Sequence, residues 1–121
     1  MADDLDSRYR RILTKQLVMN EQTWHALRDR GVTEATELRL DFSYSAPDRS
    51  SAESLRAVLA EQTDYDVMVR SSGGLLRKTW TVDGTTKPTA VSAQVLDQWV
   101  DWMVTAGLHQ NCEFAEWGKP A

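Results

Sequence analysis

The residues that could do chemistry in this chain are few and widely separated. His25 and His109 are its two histidines, and Cys112 is its single cysteine. Metal sites are usually built from close local pairs, such as His at i and i+4 or a paired-cysteine motif, because ligands on one short element share an orientation. Neither spacing occurs here, so no metal is expected. Cys112 could act as a nucleophile only with a histidine to take its proton. His109 lies three positions back, and in an alternating strand an odd offset sends two side chains to opposite faces. An inert, buried thiol is the expectation.

Two carboxylate pairs come next: Asp64 and Asp66 flank Tyr65, and Asp97 and Asp101 stand four apart in a helical stretch. Paired carboxylates can serve acid–base or Mg²⁺ chemistry, but each pair also fits a strand edge or a solvated helix face. Ser71-Ser72-Gly73-Gly74 lacks the G-x-x-x-x-G-K-[ST] pattern and no helix follows it, so it reads as a hairpin turn and not a phosphate loop. No catalytic residue, metal or cofactor is expected, and the chain reads as a non-enzyme.

The tryptophans say more. There are five in 121 residues, and Trp99 and Trp102, three apart on a helix, share a face. That pair is expected to anchor the helix to a sheet. Trp117, with Trp24 and Trp80 behind it, is the candidate for a part-buried interface position, where tryptophan is enriched. Base stacking on a sheet would need basic residues interleaved with aromatics, and the strand holding Trp80 has no such pattern.

Composition agrees. A net charge of -4 and a pI of about 5.1 repel a phosphate backbone unless the basic residues gather on one face. They gather only in part, as Arg8, Arg10, Arg11 and Lys15 and again as Arg77 with Lys78. Direct nucleic-acid binding is therefore not expected. The length suits one domain over residues 1–121, and 41% apolar with 26% charged residues predicts a packed core under a solvated surface. One cysteine allows no intramolecular disulfide. The acidic start has no apolar stretch behind it and no run is long enough to cross a bilayer, which makes the cytoplasm the expected location.

These residues must be positioned by elements that the hydrophobic spacing outlines. A helical segment over 6–31 carries Tyr9, Ile12, Leu13 and Leu17, then Trp24 and Leu27, with a break near Asn20 allowed and Gly31 as its stop. Leu38, Leu40, Phe42 and Tyr44 then alternate with Arg39, Asp41 and Ser43 as a half-buried strand. Ser50 and Glu53 have capping-box spacing for a helix running to about Gln62. Tyr65, Val67 and Val69 form a second strand, and Leu76, Trp80 and Val82 a third that Asp83-Gly84 ends, the two making a hairpin. Val91 to Ala106 is helical again, with Gly107 as its stop. Cys112 and Phe114, alternating with Glu113 and Ala115, close the chain as a last strand. The order is thus β-α-β-β-α-β over 36–117 behind an opening helix. That order predicts an α+β, ferredoxin-like antiparallel sheet with two helices on one face. The other face is left to water, to the opening helix or to a second molecule.

The stretch Leu27-Arg28-Asp29-Arg30-Gly31, the strand Leu38 to Tyr44, and the ending Cys112-Glu113-Phe114-Ala115-Glu116-Trp117-Gly118 together resemble the ribonuclease E inhibitor RraB family, the regulators of ribonuclease activity B. The resemblance covers about residues 15–119. It implies a cytoplasmic, bacterial, non-enzymatic regulator that binds an endoribonuclease and restrains RNA decay. A protein partner of that kind would offer a basic segment, which Asp41, Glu113 and Glu116, with Trp117 beside them, are the candidates to meet. The alternative is a ferredoxin-like ligand-binding or dimeric sensory module with a different partner, and a homodimer is compatible with either.

Overall fold

The computed structural model describes residues 4–73 and 78–119. In chain order the elements are α1 (Leu5–Asp29), β1 (Glu37–Leu38), β2 (Asp41–Ala46), α2 (Arg49–Gln62), β3 (Asp66–Ser72), β4 (Thr79–Thr85), β5 (Thr89–Ala90), α3 (Ala93–His109) and β6 (Glu113–Gly118). The class is α+β, with three helices, one four-stranded antiparallel sheet ordered β3-β4-β2-β6, and a small β1-β5 pair.

The opening segment is one helix. Asn20 does not start a second one. It lies buried in a stripe with Ile12, Gln16, Trp24 and Leu27, a spacing of four, four, four and three that keeps one side of a helix against its neighbour. Asp4 caps it by accepting from the Ser7 N–H at 2.8 Å, which also lowers the pKa of the Asp4 carboxyl. Gly31, at a φ of 93°, takes the left-handed conformation that ends helices cheaply.

The alternation of Leu38, Leu40, Phe42 and Tyr44 holds, and all four are buried. They do not form one strand, however. Leu38 belongs to the small pair, and the backbone of Leu40 is tied to Thr86, whose N–H donates to the Leu40 carbonyl at 2.9 Å while its hydroxyl accepts from the Leu40 N–H at 3.0 Å. The cap of α2 is Asp48, accepting from the Ser51 N–H at 2.7 Å, in place of the predicted Ser50. An aspartate one residue past Pro47 does this at least as well as a serine.

Behind β2 lies the main core. Leu55 and Leu59 from α2 and Val100, Met103 and Val104 from α3 meet Phe42, Tyr44, Val82 and Phe114 from one face of the sheet. Both helices therefore cover that single face. α1 does not cross to the other: it packs along α3 and reaches β6, where the Gln16 side-chain N–H donates to the Ala115 carbonyl at 3.0 Å. A second cluster, with Trp24, Leu27, Leu38, Val91 and Leu96, fills the space beneath α1 and the small pair.

Two glycines depart from their expected roles. Gly84 does not end β4, which runs on to Thr85; it lies under the Phe42 ring, where a Cβ would collide. Gly107 is not the stop of α3. The helix continues to His109 and ends at Gln110, with Asn111 at a φ of 62°. Gly107 is there because a Cβ would stand 2.5 Å from Tyr44 Cε2 and 3.0 Å from the Cys112 carbonyl oxygen. Gly107→Ala should accordingly lower stability by about 1–2 kcal/mol, overpacking outweighing the gain in helix propensity. A urea unfolding midpoint at or above wild type would contradict that packing. Gly74 and Leu76, placed by sequence in the hairpin, and Arg77, counted there among the basic residues, lie outside the described residues.

Candidate interaction surface

The cysteine and the helix-borne carboxylates are engaged in holding the fold. Cys112 is fully buried, and burial pushes its thiol pKa up to about 11. Its sulfur faces the carbonyls of Ser51 and Gln110, each at 3.5 Å, and His109 is exposed at the end of α3. A thiol reagent at mildly alkaline pH should label native protein far more slowly than urea-unfolded protein, because little thiolate forms and access is closed. Because the folded-state pKa is raised, stability should also fall as pH climbs from about 9 towards about 11. Rapid labelling of native protein would contradict both burial and shift.

Asp97 and Asp101 do share a helix face, but that face looks at α1. Asp97 accepts from the Asn20 side-chain N–H at 3.0 Å and Asp101 from the Tyr9 hydroxyl at 2.7 Å. The bond to Asp101 is the main reason the Tyr9 phenol titrates above its ordinary range. Asp64 and Asp66 are both exposed on the approach to β3. No group of three or more His, Cys, Asp or Glu suited to a metal occurs among the described residues.

The tryptophans divide. Trp99 meets Phe42, Phe114 and Trp117 edge-on and donates to the Tyr65 hydroxyl at 3.0 Å, so it is the anchor expected of it. Trp102 is not. It is 38% exposed, since a shift of three residues carries it about 60° round the helix from Trp99. Trp24 is buried beside Arg28, and half-buried Trp80 lies under the Arg49 guanidinium.

The interface candidates divide as well, and a β-bulge decides how. β6 pairs with β2 as Glu113 with Ser45 and Phe114 with Tyr44, then as Glu116 with Ser43, Trp117 with Phe42 and Gly118 with Asp41. Ala115 is the extra residue. A bulge of one residue reverses which side chains face the core beyond it. Glu116 therefore points to the open side, and Trp117 turns inward onto Trp99, donating to Asn20 Oδ1 at 2.7 Å. Trp117 is half-buried, packing on the core while also lining the concavity described below. Glu113 is also drawn away: Arg8 at 3.1 Å and Arg11 at 3.7 Å hold its carboxylate and fasten α1 to the sheet's edge.

Asp41 and Glu116 remain, and the sheet brings them together. Ladder register aligns Asp66, Thr85, Asp41 and Gly118 in one cross-strand row and Met68, Asp83, Ser43 and Glu116 in the next. Both rows face away from the helices, because the rows beside them carry Phe42 and Tyr44 into the core. Asp41 and Glu116 are diagonal neighbours there, about 7–8 Å apart by sheet geometry. The rows line a shallow concavity of about 570 Å³ holding four carboxylates, Asp41, Asp66, Asp83 and Glu116, against the cations Arg70 and Lys119. Arg70 is already bonded to Asp83 at 2.8 Å, and Lys87 lies 3.6 Å from Asp66. Asp41 accepts from the Thr85 hydroxyl at 2.7 Å. Among the described residues neither Asp41 nor Glu116 has a cationic partner. Asp66, Asp83 and Thr85 were not identified as surface partners of Asp41 from sequence; their polar side of each strand was legible, but the register that aligns them was not.

No family model matches this chain and no curated protein matches it. No described helix is long and apolar enough to cross a membrane.

Proposed function

We propose that this domain is a non-enzymatic regulator that binds a protein partner on the open face of its sheet, in the manner of the RraB family. The single observation behind it is the pair Asp41 and Glu116, side by side, exposed and uncompensated on a face that α1 leaves uncovered. Complementary charge steers encounter and sets register, so the partner's matching surface is a basic segment. The partner class is an endoribonuclease of the ribonuclease E type, and the consequence is slower RNA decay in the cytoplasm. The domain acts by occlusion or altered assembly, without turnover, since its thiol and its helix-borne carboxylates are engaged in holding the fold.

We assign the fold to the ferredoxin-like class. Its support is the strand order β3-β4-β2-β6 with every pair antiparallel, the order that two interleaved βαβ crossovers generate. Fold alone does not select a function; the charged face is what supports the reading. RNA cleavage by the endoribonuclease, followed as the domain is added, tests the mechanism. Activity should fall and level off once the domain matches the enzyme in amount. Unchanged cleavage at saturating domain would rule out inhibition.

A further inference from the structure

β3 stands at the edge of the four-stranded sheet. On its inner side it is paired with β4 along its whole length, from Asp66 with Thr85 to Ser72 with Thr79. On its outer side no described residue makes a backbone hydrogen bond to Asp66–Arg70. Exposed edges of this length are ready templates for another strand, and proteins that remain monomeric usually blunt them with a bulge, a proline, a covering loop or unmatched charges. β3 has neither bulge nor proline. Met68, the third residue of β3, is 55% exposed on the open face.

The order of residues along this edge is self-complementary. In antiparallel pairing of two copies centred on Met68, Asp66 of each copy stands opposite Arg70 of the other. Met68 then meets Met68, and Val67 meets Val69. Opposite charges directly across a ladder stabilise it, and like charges oppose it. The alternation also matches: Asp66, Met68 and Arg70 are exposed on the open face, while Val67 and Val69 are half-buried on the helix side. A two-fold axis perpendicular to the sheet preserves both faces. The other symmetric arrangement, open face on open face, would set Asp41, Asp66, Asp83 and Glu116 against their own copies.

We infer that the chain forms a homodimer through antiparallel pairing of β3 with β3 of a second copy, centred on Met68 and fixed in register by two reciprocal Asp66–Arg70 pairs. The product is one continuous eight-stranded sheet whose two acidic open faces lie on the same side. This association stands independently of the partner proposed above.

Sedimentation of the full chain over a wide concentration series tests it, with circular dichroism to confirm the fold of each variant. Wild type should pass from monomer to dimer. Asp66→Arg and Arg70→Asp should each weaken the dimer by about tenfold or more, since each sets two like-charged pairs across the ladder. The double exchange D66R/R70D should restore it, because the opposite signs face each other again. Met68→Lys, on an exposed side chain, should also dissociate the dimer by placing two ammonium groups on the axis. If Arg70→Asp unfolds through repulsion from Asp83, Asp66→Arg and Met68→Lys decide. A chain monomeric at every concentration would overturn the inference, as would a dimer that Asp66→Arg and Met68→Lys leave unmoved.

Discussion

Tyr44→Ala should lower the stability of this domain by about 3–5 kcal/mol, the range for removing a large buried aromatic. A domain of this size has about 5–15 kcal/mol to lose, so this is a large share of its stability. The reason is position. Tyr44 is fully buried at the centre of β2, between Val82 of β4 and Phe114 of β6, with Gly107 of α3 pressed against its ring. Its hydroxyl donates to the Met103 carbonyl at 2.7 Å, joining the middle strand to α3, and burial drives the phenol pKa well above its ordinary value. Tyr44→Phe keeps the ring and should cost only about 0.5–1.5 kcal/mol, the worth of one hydrogen bond. Urea unfolding of both variants checks the pair. Equal losses would mean that the hydroxyl and not the ring carries the contact, contrary to the packing.

Reversing the two uncompensated charges should have the opposite profile. Asp41→Lys with Glu116→Lys leaves stability within about 0.5 kcal/mol, the usual margin for exposed positions. It should weaken binding of a basic partner by roughly tenfold or more at low salt. Each exposed ion pair is worth about 0.2–1 kcal/mol, and reversal replaces two attractions with two repulsions; 1.4 kcal/mol is a factor of ten. Most of the loss should appear in the association rate, where surface charge acts. Glu113→Lys is the contrasting variant. Its carboxylate holds Arg8 and Arg11, so its effect should fall on the docking of α1 and not on partner binding.

How far the sequence carried this picture depends on the range of each interaction. The alternation from Leu38 to Tyr44 is local and came out as periodicity places it; in the opening helix Ile12, Trp24 and Leu27 face the core as expected, but Leu17 is exposed and the polar Gln16 and Asn20 are buried in its stead. The end of α2 at Gln62 was equally legible. The β-bulge at Ala115 was not. Alternation from Cys112 through Phe114 carries Trp117 outward, and only pairing with β2 shows the extra residue that turns it in. The ion pairs of Glu113 were hidden for a related reason: Arg8 and Arg11 are about a hundred positions away in the chain, and only the packing of α1 against β6 brings them near. Gly107 follows a helix in sequence as a stop signal would, and nothing local discloses the Tyr44 ring behind it. Asp41 fell on the polar side of its strand, as alternation required, whereas Glu116 reaches that side only through the bulge. That Asp66 and Asp83 share their face depends on cross-strand register, which is written in no short stretch.

The central claim is that Asp41 and Glu116 receive a basic segment of an endoribonuclease. Titrating the domain against a ribonuclease E-type enzyme by calorimetry, at low salt and again at high salt, tests it most directly. Saturable binding that weakens as salt rises, and that the Asp41→Lys/Glu116→Lys variant largely loses, is the predicted result. No heat of binding at low salt, or binding indifferent to both salt and charge reversal, would contradict it.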